Sequence, residues 1–158
     1  MIIRNATLKD IRFIFNLYNF YISKNLFYRK KKISFLEHKK WFLKSFLKEK
    51  KSIIYIANYK NRKIGYVRFS EVNKKIFEIS LALKIKFFGN NRGTLLLYQA
   101  LKRFNKKKLK IIARVKNKNI GSVICLKKNN FFETKYQKKL FGHVANSKNY
   151  IYMVYKSN

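Results

Sequence analysis

The period of the apolar positions changes repeatedly along the chain, and each change marks an element. Met1–Asn5 reads as a short strand. Thr7 stands three residues before Asp10, a capping pattern, and Ile11, Phe15, Tyr18 and Ile22 follow at helical spacing. A loop runs from about Ser23 to Ile33. Ser34 and Glu37 repeat the capping pattern and open a second helix carrying Phe35, Trp41, Phe42 and Phe46. Ser52–Asn58, Lys63–Ser70 and Ile76–Leu83 read as three strands, the first two joined by a tight turn near Asn61. A helix through Leu95–Phe104, a strand at Leu109–Val115 and a short helix at Ile120–Asn129 follow. Phe131–Lys138 and Tyr150–Tyr155 read as closing strands. The order βααβββαβαββ predicts one α/β (α+β) domain over residues 1–158. Its core would be a mixed, twisted sheet of about seven strands with about four helices on both faces.

Composition supports a packed core. Of 158 residues, 47% are hydrophobic and 17% aromatic, so the chain is not a disordered basic tail. A single cysteine, Cys125, forbids an internal disulfide. No leader segment is evident and no apolar run nears the ~18 residues of a membrane span, so a cytoplasmic protein is expected.

The charge is extreme, with 39 Lys+Arg against 6 Asp+Glu and a formal net charge of +33. A polyanion partner is one reading. Compositional drift is the other: Lys, Asn, Ile, Phe and Tyr abound and proline is absent, as an AT-biased genome would encode. The lysines are spread through every segment, and the runs Arg29–Lys32 and Lys106–Lys108 are brief, which favours drift. Neither an RNP signature, a GxxG loop nor zinc-ligand spacing is present, so nucleic acid is expected only through non-specific attraction. No His/Cys/carboxylate cluster has metal-ligand spacing, and no metal is expected.

The chemistry concentrates between Glu78 and Phe131. A strand runs into Phe87-Phe88-Gly89-Asn90-Asn91-Arg92-Gly93, which opens directly into a helix. A helix start offers free N–H groups and a partial positive charge to an anion, and Gly89 and Gly93 allow close backbone approach. The Lys-Ser/Thr of a P-loop is missing, which argues against nucleotide hydrolysis.

The run Phe88–Leu97 resembles the pyrophosphate loop of GNAT acetyltransferases, R/Q-x-x-G-x-G/A. Gly89, Gly93 and Thr94 match; Phe88 replaces the usual Arg/Gln and Asn91 a glycine. Downstream, Val115–Phe131 is similar to the family's V-x-x-x-N-x-x-S/A-x-x-x-Y/L-x-K-x-G-F, with Asn119, Ser122, Lys128 and Phe131 matching and Asn130 in the place of glycine. The opening Ile3–Thr7 with Asp10 also looks like the family's, so the resemblance covers nearly the whole chain. The helix Ile33–Phe42, read as I-S-x-x-x-H-x-x-W-F, resembles members acting on amino-sugar nucleotides of surface-polysaccharide and pseudaminic acid synthesis.

The resemblance implies acetyl-CoA as co-substrate and an N-acetyltransferase that uses a primary amine on a nucleotide-linked amino sugar. A ribosomal or N-terminal protein amine is the alternative acceptor, and a non-catalytic or nucleic-acid-binding protein the alternative class. Acetyl-CoA contacts are expected from the backbone of Leu81, Ala82 and Leu83 and from Gly89, Asn91, Arg92, Gly93, Thr94, Asn119 and Ser122. Asn119 also fits an N-cap.

Glu78 is the first candidate base, because alternation puts it with Ser80 on the polar face of its strand. An ion pair with a lysine is the bland reading of the same residue. His38 is the second candidate, and His143, in a polar loop, carries no expectation. Leu126 stands where many relatives keep a tyrosine that protonates the leaving thiolate. Cys125 fits a packed thiol better than a nucleophile. Monomer and homodimer are both open.

Overall fold

The computed structural model describes residues 1–27, 29, 31–104, 109–141 and 148–156. His143 and the Lys106–Lys108 run lie outside the described residues. The described residues form seven strands: β1 (Ile2–Asn5), β2 (Ser52–Tyr59), β3 (Arg62–Asn73), β4 (Ile76–Leu83), β5 (Lys110–Lys116), β6 (Phe131–Thr134) and β7 (Tyr150–Tyr155). Five helices accompany them: α1 (Ile11–Ser23), α2 (Phe35–Trp41), α3 (Arg92–Phe104), α4 (Ile120–Lys127) and α5 (Lys138–Phe141). The strands make one mixed sheet in the order β1-β2-β3-β4-β5-β7-β6. Every neighbouring pair is antiparallel except β4 and β5.

Helical spacing decides what each helix buries. In α1, Ile14, Leu17, Tyr18, Tyr21 and Ile22 are buried and form one stripe. It packs with Phe42 against Ile54, Ile56, Tyr66 and Ala82. In α3, Leu96, Leu97, Ala100, Leu101 and Phe104 make the matching stripe for the other face. That face carries Val67, Phe69, Phe77, Ile79 and Leu83, and the Phe69 and Phe104 rings stack with centroids 4.2 Å apart. The alternation of β4 is therefore observed, with odd positions under α3 and Ala82 under α1.

Both capping patterns form. Ser34 Oγ accepts from the Glu37 N–H (3.2 Å), while Glu37 Oε2 accepts from the Ser34 N–H (2.7 Å). The Thr7 N–H donates to Asp10 (2.8 Å). α2 continues past Trp41 as a wider π-type coil over Phe42–Lys48.

One expected strand is corrected. Phe131–Lys138 stops at Thr134, where its ladder with β7 ends opposite Tyr152. The chain then turns in as α5. Leu140 and Phe141 need cover, and they find it on Ile112 and Tyr152, on the half of the sheet that α1 does not reach.

Candidate active site

The cleft begins with a divergence in the sheet. β4 and β5 are paired only at Ile76–Lys110, Phe77–Ile111 and Glu78–Ile112. Beyond Glu78 the strands part. A strand's backbone groups alternate in direction. The Lys84 N–H donates to Ile64 O on β3 (2.7 Å), so even positions face β3 and odd positions face the opening. The sequence reading missed the residue that stabilises this split edge, Tyr21 of α1. Its buried hydroxyl accepts from the Leu83 N–H (2.9 Å) and donates to Leu83 O (3.1 Å). Burial raises the Tyr21 pKa, so it stays a neutral donor and acceptor. Of the three expected backbone positions, Leu83 is thus occupied by Tyr21 and Ala82 faces β3. Leu81 directs its backbone into the opening with no described partner.

A cavity of about 460 Å³ lies between this edge, the start of α3 and the start of α4. Leu81, Leu83, Gly89, Asn91, Arg92, Gly93, Thr94, Asn119 and Ser122 line it, so the structure brings together every expected acetyl-CoA residue except Ala82. The local backbone explains the loop composition. Gly89, Asn90 and Asn91 take φ of 80°, 48° and 55°, a left-handed run that glycine and asparagine tolerate best. The run turns the chain so that α3 begins facing the cavity, with the N–H groups of Gly93 and Thr94 left without backbone acceptors. Lys128, at the end of α4, donates to Asn91 Oδ1 (3.1 Å) and ties the loop to the opposite wall. Asn119 caps α4 through Ser122 N–H (3.3 Å) and also lines the cavity. Asn130 holds φ 60° just after α4, as its replacement of a C-cap glycine requires.

The cavity continues past Leu26, Leu81, Asn119 and Ser122 into a second, narrower chamber. Glu78, Ser80, Arg68, Arg114 and Tyr18 line it. Glu78 is in an ion pair, but with an arginine rather than a lysine. Arg114 Nη2 on β5 donates to both carboxylate oxygens (3.0 and 3.1 Å), two residues beyond Ile112 of the last β4–β5 rung. The Glu78 side chain keeps 23% exposure, while that of Arg114 keeps 4%. The N–H groups at the start of α3 and the Glu78 carboxylate thus line two parts of one cleft.

Comparison with known proteins gives the family. The family model described as the acetyltransferase (GNAT) family matches residues 14–131. The chain belongs to the GNAT acetyltransferase family. As such it is an acetyl-CoA-dependent N-acetyltransferase, with acetyl-CoA as co-substrate. Among solved structures, the ribosomal-protein-alanine N-acetyltransferase of Brucella melitensis is 16% identical, with 98% of each chain covered and a TM-score of 0.78. The spermidine N-acetyltransferase of Vibrio cholerae, solved with CoA and spermine, is 21% identical over 97% of this chain and 92% of that one, with a TM-score of 0.75. The yncA protein of Salmonella typhimurium, solved with acetyl-CoA, is 16% identical over 98% of this chain and 92% of that one, with a TM-score of 0.78. At such identities the likeness is one of fold. No curated protein sequence matches the chain.

Within this GNAT domain His38 stands apart from the cleft. It is 3% exposed and lines neither chamber. Its ring packs on Phe15, Trp41 and Phe42, with centroids 5.6, 5.5 and 6.1 Å away. Burial lowers its pKa to about 4, against a hydrogen bond with the Ile11 backbone that raises it. Leu126 lines the narrow chamber as an apolar wall. Cys125 lines the larger one as a neutral thiol, pushed up to about 11 by burial. Among the described residues no cluster of His, Cys, Asp and Glu could hold a metal ion, and no helix is long and apolar enough to cross a membrane.

Proposed function

We propose that this domain acetylates the primary amine of a small anionic acceptor, a nucleotide-linked amino sugar, and that Glu78 receives the amine proton. The observation that carries this reading is the continuity of the two chambers. The larger fits the pantetheine and pyrophosphate of acetyl-CoA between Leu81, Gly93, Thr94 and Asn119. The narrower brings Glu78 to the acceptor side.

In the reaction the amine nitrogen forms a bond to the thioester carbonyl carbon and the carbon–sulfur bond breaks. The amine proton passes to Glu78, and the thiolate leaves with a proton from solvent, since Leu126 has none to give. Leu81 N–H is oriented to hold the charge that develops on the carbonyl oxygen. The acceptor side holds two guanidinium groups against one carboxylate. That balance favours an acceptor bearing negative charge and disfavours a polycation. A chain with +33 net charge would also capture both anionic substrates faster than a neutral one.

Steady-state assays of Glu78→Gln test this. Turnover on an amino-sugar nucleotide should fall roughly a hundredfold or more while calorimetric acetyl-CoA affinity stays unchanged. Unchanged turnover would remove Glu78 as the base. The same assay run with neutral and polycationic amines tests the acceptor class.

A further inference from the structure

Arg68 occupies an unusual position. It sits on β3 opposite Ser80 of β4, and its side chain enters the narrow chamber beside Glu78. Its guanidinium lies over the Trp41 ring at 5.0 Å and near the Tyr18 ring at 5.9 Å. Aromatic faces stabilise the cation without using its N–H groups, which point outward in the guanidinium plane. One of these, on Nη2, donates to Ser80 Oγ (3.3 Å). The buried Nε has no partner among the described residues.

No described carboxylate answers this charge. Asp10 pairs with Arg4 and Lys63, Glu49 with Lys44 and Lys51, and Glu133 with Lys127. Glu37 caps α2. The nearby Glu78 is engaged by Arg114. A cation stacked on rings, half satisfied and lining a cleft next to a carboxylate is arranged for an incoming anion.

We propose that Arg68 is the acceptor-recognition residue, holding a carboxylate or phosphate oxygen of the acceptor while its amine lies toward Glu78. This deepens the acetyl-transfer reading and rests on it only for the placement of the amine. Arg68 fixes which amines enter; Glu78 acts on the one that has entered.

Trp41 is the only tryptophan in the chain and touches Arg68, so its fluorescence reports on this site directly. The test titrates the full chain, saturated with CoA and at moderate salt, with three probes: glucosamine, glucosamine 1-phosphate and 2-amino-2-deoxyglucuronic acid. The expected result is a saturable Trp41 change with the phosphate, the carboxylate or both, and none with glucosamine. The anion that responds identifies the group recognised. In Arg68→Gln that affinity should fall roughly ten- to a hundredfold with CoA affinity unchanged, which also shows that the variant is folded. Arg68→Lys should be intermediate, keeping the charge but losing the two-pronged contact. Equal responses to neutral and anionic probes, no saturable response to either anion, or an unaltered response in Arg68→Gln would overturn the assignment. Arg68-dependent binding of an anion with no acetylation of any anionic amine would spare it and remove the acceptor reading instead. Acetylation of an anionic amine that Arg68→Gln leaves unchanged would do the reverse.

Discussion

Two buried ionisable groups outside the cleft set how this domain responds to acid. Asp10 is fully buried. Arg4 contacts both its oxygens (2.7 and 2.8 Å), Lys63 reaches it at 2.7 Å, and the Thr7 N–H donates to it. Burial alone would raise its pKa; the contacts outweigh that and hold the carboxyl well below its ordinary range. Its stabilising effect is therefore present above that range and is lost as pH falls through it. His38 acts in a higher window. Its pKa is lowered by burial from 6.5 to about 4, so the unfolded chain binds the proton first and stability falls as pH drops between those values. Urea midpoints measured from pH 7 down to pH 3 should show both slopes. His38→Phe should flatten the upper one while leaving turnover intact, since the ring lies outside the cleft. Asp10→Asn should lower stability at pH 7 by roughly 1–3 kcal/mol and flatten the lower slope.

At the scale of elements, function depends on how β4 is held where it leaves β5. Two contacts do this, and neither was legible in the sequence. Gly65 of β3 lies opposite Leu83, and a Cβ there would meet Ala82 O at 2.4 Å and Leu83 Cδ2 at 2.6 Å. Gly65→Ala must therefore push β4 away from β3. It should lower thermal stability and weaken acetyl-CoA binding together, by distorting the Leu81–Leu83 edge. Tyr21→Phe strands the Leu83 N–H and carbonyl and should cost about 1–3 kcal/mol in chemical denaturation. Gly93 is the contrast. A Cβ there would sit 3.5 Å from Leu83 Cδ1 and 3.8 Å from Cys125 Sγ, which is ordinary contact. Gly93→Ala should fold normally, while the longer branches of Gly93→Val should fill the cavity and reduce acetyl-CoA affinity. Local signals revealed the loop, the two capping boxes and the Asn119 cap, because each is written within a few residues. The Tyr21–Leu83 bond spans 62 positions. Arg68 and Glu78 likewise become neighbours only through the register of β3 and β4. His38 looked like a candidate because its motif is local. The aromatic layer that removes it from the cleft is assembled from two helices.

For the whole molecule, the question is how a specific anion site works on a surface that attracts every anion. The net charge is +33, and the lysines and arginines are spread along the sequence rather than gathered in one segment. Long-range attraction of this kind is screened over roughly 8 Å at physiological salt, whereas contacts inside a partly buried cavity are screened much less. Salt should therefore separate the two kinds of binding. Duplex DNA lying across six to ten phosphate contacts should lose roughly 10³–10⁵ in affinity between 50 and 200 mM salt. Acetyl-CoA, with its pantetheine lying along Leu81, Gly93 and Asn119 as proposed, should keep most of its affinity, and its loss should appear mainly in the association rate. Calorimetry with acetyl-CoA, inorganic pyrophosphate and DNA at both salt concentrations, together with stopped-flow association rates, reads this directly. If acetyl-CoA affinity falls as steeply as that of DNA, its binding is surface attraction and the cavity assignment is wrong. If it persists at 1:1 while DNA and pyrophosphate release, the diffuse charge serves delivery and the β4–β5 cleft supplies the selectivity.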